Sequence, residues 1–125
     1  MTFPKRKPKY KNRKVEVDGI KFDSKKEAKR YGELKLLEKA GEISDLQCHP
    51  KFDLVINGQK ILITSDRYKN GRQAKYSPDF RYTCQKGGGF IAEDVKGGRA
   101  TKTEAYKLRA AIFKVAYPHI TLLEV

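Results

Sequence analysis

The chain has 125 residues, with 28 Lys and Arg against 15 Asp and Glu and a formal net charge of +13. That length builds one domain with its own core and leaves no room for a second. The excess of positive charge points to a polyanionic partner, DNA or RNA. An anionic membrane surface is the rival partner, against which stands the lack of a basic helix with a clean Trp/Phe/Leu face.

Residues 1–14 hold Lys5, Arg6, Lys7, Lys9, Lys11, Arg13 and Lys14 together with Pro4 and Pro8, and almost nothing apolar. This reads as a disordered basic arm able to neutralise phosphates, or as a solubilising tail. The remainder, 15–125, reads as one folded domain. Val15, Val17, Ile20 and Phe22 flank Asp18-Gly19, a strong hairpin signal, and the hairpin should cover the start of the first helix. That helix is expected over Ser24–Ala40, with Ser24 and Glu27 in a capping box. Ala28, Tyr31, Leu34 and Leu37 form its buried stripe and Gly41 its stop.

Glu42–Thr64 reads as strand material, with Asn57-Gly58 as a second hairpin turn and Pro50 at a bulge or edge. Gln47, His49 and Lys51 fall opposite the hydrophobic residues, so His49 is expected at the surface rather than as a catalytic base. Ser65–Lys75 reads as a basic loop. Its Arg67, Lys69, Arg72 and Lys75 are candidates for holding a nucleic-acid backbone.

Tyr76–Lys96 forms the centre of the chain: two strand-like runs joined by a turn at Gln85–Gly89. In the first, Tyr76, Phe80 and Tyr82 alternate with Ser77, Asp79 and Arg81. In the second, strand periodicity puts Asp94 and Lys96 on one face. Pairing then brings Asp79 beside Asp94, with Lys96 next along. Two carboxylates and a lysine so placed would repel and desolvate one another, and a divalent cation resolves the conflict. Mg²⁺ takes hard oxygen ligands, polarises phosphoryl oxygens and lowers the pKa of water. Lys96 would position that water or offset charge on the phosphate.

After Gly97-Gly98-Arg99, Thr101 and Glu104 suggest another capping box for a helix over Lys102–Ala116. Ala105, Leu108, Ile112 and Val115 share one of its faces, and Pro118 lies beyond its end. Glycines before a helix N-terminus suit a close phosphate, so Arg99, Thr101 and Lys102 are candidate contacts. Ile120–Val125 should add a late strand.

Pro78-Asp79 and Asp94-Val95-Lys96, in this order between helices and strands, resemble the PD-(D/E)XK nuclease superfamily. The wording Tyr-Ser-Pro-Asp-Phe…Glu-Asp-Val-Lys-Gly is similar to its small phage-type, Holliday junction resolvase-like branch. The resemblance spans about residues 15–125. It implies an α/β fold with a restriction-endonuclease-like αβββαβ core, a central mixed sheet flanked by helices. It also implies metal-dependent hydrolysis of DNA, with branched DNA as substrate and a homodimer for symmetric cutting. Glu27, Asp79, Asp94 and the Val95 carbonyl would hold Mg²⁺ or Mn²⁺, and Lys96 would complete the catalytic set. Glu27 keeps a second reading as a helix cap. The rival is a non-catalytic basic DNA- or RNA-binding module that retains the fold.

Cys48 and Cys84 lie far apart with no CxxC pair, which disfavours structural zinc and suggests reduced thiols. Without an apolar signal core or a membrane-length run, a cytoplasmic protein with no membrane partner is expected.

Overall fold

The computed structural model describes residues 14–96 and 103–125. The basic arm through Arg13, including Lys5, Arg6 and Lys7, lies outside the described residues, as do Arg99, Thr101 and Lys102.

Strands β1 (Val15–Val17) and β2 (Ile20–Phe22) pair antiparallel around Asp18 and Gly19, both at positive φ as an Asp-Gly hairpin turn requires. Helix α1 runs over Lys25–Lys39. Ser24 caps it, its Oγ accepting the Glu27 N–H at 3.1 Å, an arrangement that stabilises a helix start by about 1 kcal/mol. Gly41, at φ 79, ends it in the left-handed conformation that glycine adopts without steric cost. Tyr31 and Leu34 are buried, with Ala28 and Leu37 partly buried beside them, so the expected stripe is the one that packs.

Strand β3 (Ile43–Cys48) follows. A run of two-residue strands comes next: β4 (Phe52–Asp53), β5 (Val55–Ile56), β6 (Gln59–Lys60), β7 (Leu62–Ile63), β8 (Arg72–Gln73) and β9 (Lys75–Tyr76). They pair β4 with β9, β5 with β6 across Asn57-Gly58, and β7 with β8. The basic stretch expected as loop therefore ends in strands. Gly71, at φ 86, is needed there, because an added Cβ would lie 2.8 Å from Leu62 Cβ. Strands β10 (Phe80–Cys84) and β11 (Phe90–Asp94), helix α2 (Glu104–Ala116) and strand β12 (Ile120–Glu124) complete the chain.

The main sheet has the order β12-β11-β10-β3. β10 is antiparallel to both its neighbours, and β12 is parallel to β11. A parallel pair needs a crossover, which α2 supplies. One face packs Phe80 and Tyr82 against Phe22, Tyr31, Leu34 and Ile43 under α1. The other packs Ala92 and Ile120 against Phe52, Leu54, Tyr76, Ala110 and Phe113 under α2. The protein is thus mixed α/β, with a four-stranded mixed sheet between two helices.

Four local expectations are corrected. Tyr76 does not share a face with Phe80 and Tyr82: the chain breaks at Ser77-Pro78-Asp79, and Tyr76 joins the α2 core. The cap of α2 is Thr103, whose Oγ1 accepts the Tyr106 N–H at 3.1 Å. The packed face of α2 carries Tyr106, Ala110 and Phe113 with Ile112 from the expected stripe, while Leu108 and Val115 are 64% and 80% exposed. The Phe113 ring stacks 4.9 Å from Tyr76 and meets Phe52 edge-on at 4.9 Å, and this aromatic burial outweighs the smaller aliphatic stripe. Finally, of the two readings of Pro50 the bulge is not the one taken: the slip in β3 pairing lies by Asp45, at φ 56, and the buried Pro50 follows the end of β3, an edge strand.

Candidate metal centre

The pairing of β10 dictates what meets at one end of the sheet. Phe80 stands opposite Cys48 on one side and Glu93 on the other. One further step along the chain brings Asp79 to the backbone of His49 and of Glu93. Backbone bonds hold that step: His49 N–H donates to the Asp79 carbonyl at 2.8 Å, and Asp79 N–H to the Glu93 carbonyl at 2.9 Å. Ser77 Oγ ties the preceding turn to the Pro50 carbonyl at 2.8 Å. Val95 meets Asp79 through its N–H, which donates to Asp79 Oδ2 at 2.7 Å.

Glu27 reaches this end from the first turn of α1. It is 4% exposed, and its Oε1 lies 2.6 Å from His49 Nε2. The carboxylate is thus engaged with the site, while Ser24 supplies the cap. One ligand atom each from Glu27, His49 and Asp79 lies within 4.8 Å of the others. Ions that bind oxygen at 2.0–2.1 Å have opposite ligands about 4 Å apart. Two carboxylates and an imidazole in this arrangement form a group that could hold a metal ion.

The His49 side chain is 39% exposed, as the surface reading expects, but it also meets Glu27, for an identifiable reason. Strand alternation sends it away from the hydrophobic residues, but its φ of 51 ends the alternation. Its ring then lies 5.7 Å from that of buried Phe22 and its Nε2 faces Glu27. The one available signal was the His-Pro step at the end of a strand, which marks a break in the backbone.

Asp94 and Lys96 are not part of that three-residue cluster. Asp94 is 3% exposed and accepts a short hydrogen bond from the Tyr76 hydroxyl. Lys96 Nζ stands 3.7 Å above the Tyr106 ring, a cation–π contact. The Tyr76 and Tyr106 rings are 6.3 Å apart, so Asp94 and Lys96 face the α2 side together, as alternation requires. Lys26 Nζ donates to the Lys96 carbonyl at 2.5 Å, pinning the end of this segment to α1.

Burial dominates the electrostatics. It pushes the Asp79 carboxyl up to about 7 against the Val95 hydrogen bond. The Glu27 and Asp94 charges add to the rise, and Lys96 opposes it. Burial and the Asp94 charge also raise the Tyr106 hydroxyl to about 12. The Tyr76 hydroxyl is pushed well above its ordinary value by burial and its bond to Asp94.

Of the expected backbone-binding residues, Arg67, Lys69, Arg72 and Lys75 are all exposed. The Arg67 and Arg72 guanidinium groups lie 5.7 Å and 5.8 Å from the Tyr68 ring. Both cysteines are free thiols, and no helix among the described residues is long and apolar enough to cross a membrane.

A mixed α/β domain with an acidic and imidazole cluster at one end of its sheet is the class these features define. The chain belongs to the family described as "Protein of unknown function (DUF1064)", which matches residues 7–125. No curated protein and no solved structure matches it.

Proposed function

We propose that the protein is a metal-dependent DNA endonuclease of the PD-(D/E)XK type, cutting branched DNA. The observation that carries this reading is the convergence of Glu27, His49 and Asp79 at the sheet end where Asp94 and Lys96 also arrive. The order α1, β3, β10, β11, α2, β12 supports an αβββαβ core, with β4–β9 as an insertion after β3.

Glu27, His49 and Asp79 would hold the ion, Mg²⁺ or Mn²⁺, with Asp94 and the Val95 carbonyl completing the set. When bound, the cation supplies Lewis-acid polarisation of a phosphoryl oxygen and neutralises negative charge. The chain's own groups do the rest. Val95 N–H and the flanking backbone bonds fix Asp79. The Tyr76 hydroxyl fixes Asp94. Lys96 leaves the Tyr106 ring to orient the attacking water or the phosphate oxygens. A water oxygen bonds to phosphorus, one backbone P–O bond breaks, and the departing oxygen takes a proton.

Branched DNA suits a small basic domain that reads backbone and shape, since no element among the described residues resembles a separate base-reading module. Symmetric cutting would need two copies. The exposed Leu108 and Val115 on α2 give such a dimer an apolar surface. The test compares cleavage of a four-way junction, a flap and a linear duplex, with Mg²⁺, Mn²⁺ or chelator. Metal-dependent cutting that prefers the junction supports the proposal. Equal rates on all three remove the structure preference. Tight binding with no cutting in any metal leaves a non-catalytic DNA- or RNA-binding module.

A further inference from the structure

Beside the proposed centre, on the α2 face, a cleft of about 610 Å³ opens between α2 and the short strands β7–β9. Arg72, Lys75 and Arg109 line it together with Tyr76, Thr103 and Tyr106, and no acidic residue does. Among the described residues neither Arg72 nor Arg109 is in an ion pair. Lys75 reaches Asp53 at 3.9 Å between half-exposed side chains, a contact worth little. Three cations line one concave surface and repel one another, with that weak contact to Asp53 as the one ion pair among them in the described residues. The cleft is also physically joined to the centre. Its Tyr76 holds Asp94, and its Tyr106 ring lies under the Lys96 amine.

We propose that this cleft seats the DNA backbone next to the phosphate being cut. Arg72, Lys75 and Arg109 neutralise successive phosphates, and the capped start of α2 at Thr103 adds N–H donors. The tyrosine rings offer flat surfaces to a sugar or an unstacked base. A second groove, lined by Leu37, Ile43, Ile91 and Leu123 on the opposite face, is mainly apolar and does not suit a polyanion. The inference rests on the nuclease reading for the word "cut", while its binding surface is tested separately.

The experiment is fluorescence anisotropy of the full chain on a labelled four-way junction, in chelator, across a series of salt concentrations. The variant Arg72→Ala/Lys75→Ala/Arg109→Ala is compared with Lys39→Ala/Lys86→Ala/Lys114→Ala, which removes the same charge elsewhere. Each lost phosphate contact lowers the slope of log K against log salt by about 1. The cleft variant should lose about 3 in slope and bind at least about tenfold more weakly near physiological salt. The remote variant should stay close to wild type. Equal loss in both variants, or none in either, overturns the proposal. Single Arg72→Gln and Arg109→Gln variants, each expected to lose about 1 in slope, decide the matter if the triple variant does not fold. Wild-type cutting that persists in the cleft variant with unchanged affinity sinks the cleft alone. Binding through the cleft without any metal-dependent cutting sinks the nuclease reading alone.

Discussion

Arg30 holds Glu93 through two parallel hydrogen bonds of 2.8 Å, one from Nε and one from a terminal nitrogen. Glu93 is fully buried, and the Tyr82 hydroxyl also donates to it. Arg30 lies one turn after Glu27 on α1, and Glu93 immediately precedes Asp94 on β11. The pair therefore sets how far α1 stands from the strands that bear the site.

Arg30→Met should destabilise the protein by about 3–5 kcal/mol, because it leaves a buried carboxylate without its cation. Combining it with Glu93→Leu should recover much of that loss, since no uncompensated charge remains. Denaturant unfolding of the three variants measures this. Additive losses in the double variant would mean that the two side chains act independently.

Lys96→Ala should reduce cleavage by at least about a hundredfold, the usual scale for a positioned acid–base or charge-stabilising group. DNA affinity should change little, because the rest of the positive surface is untouched. Asp79→Asn should likewise abolish cutting, with affinity equal or tighter since a negative charge near phosphate is gone. Parallel cleavage and binding assays on both variants check the division. Equal loss of both properties would place these residues in the fold rather than in the chemistry.

His49→Ala should weaken Mn²⁺ more than Mg²⁺. Imidazole suits transition metals better than the hard Mg²⁺ ion, so its removal leaves a more purely oxygen-based site. Metal titrations of cleavage for wild type and variant measure the change. An unchanged preference would take His49 out of the ligand set.

The raised Asp79 carboxyl makes two pH statements. Metal binding requires the carboxylate, so metal affinity and cleavage should fall as pH drops through about 7. Stability of the metal-free protein moves the other way. Between the ordinary carboxylate range and about 7 the folded state keeps a proton that the unfolded state releases, so stability falls as pH rises. Relative to Asp79→Asn, the metal-free wild type should be more stable at pH 5 than at pH 8. Thermal melts of both proteins in chelator test the sign, and Mn²⁺ at pH 8 should restore wild type selectively.

Much of this architecture was legible in the sequence, because local rules and tertiary packing agree there. Ser24, the Asp18-Gly19 and Asn57-Gly58 turns, the α1 stripe and the shared face of Asp94 and Lys96 follow from capping, turn chemistry and strand period. What escaped depends on backbone irregularity or on competition between faces. His49 turns because one residue takes a left-handed conformation, which no periodicity reveals. Tyr76 changes face because Ser77-Pro78-Asp79 interrupts the strand. In α2 the expected stripe keeps only Ile112 in the core, because Phe113 finds aromatic partners from β4 and β9 that are distant in sequence.

The central claim is that this site hydrolyses DNA with a bound divalent cation. The most direct measurement is gel analysis of a labelled four-way junction incubated with the full chain, in Mn²⁺ and in chelator, beside the Lys96→Ala variant. Cutting by wild type in Mn²⁺ alone, absent in chelator and in the variant, is the expected result. Cutting that survives chelation or the loss of Lys96, or no cutting by wild type in any metal, would contradict it.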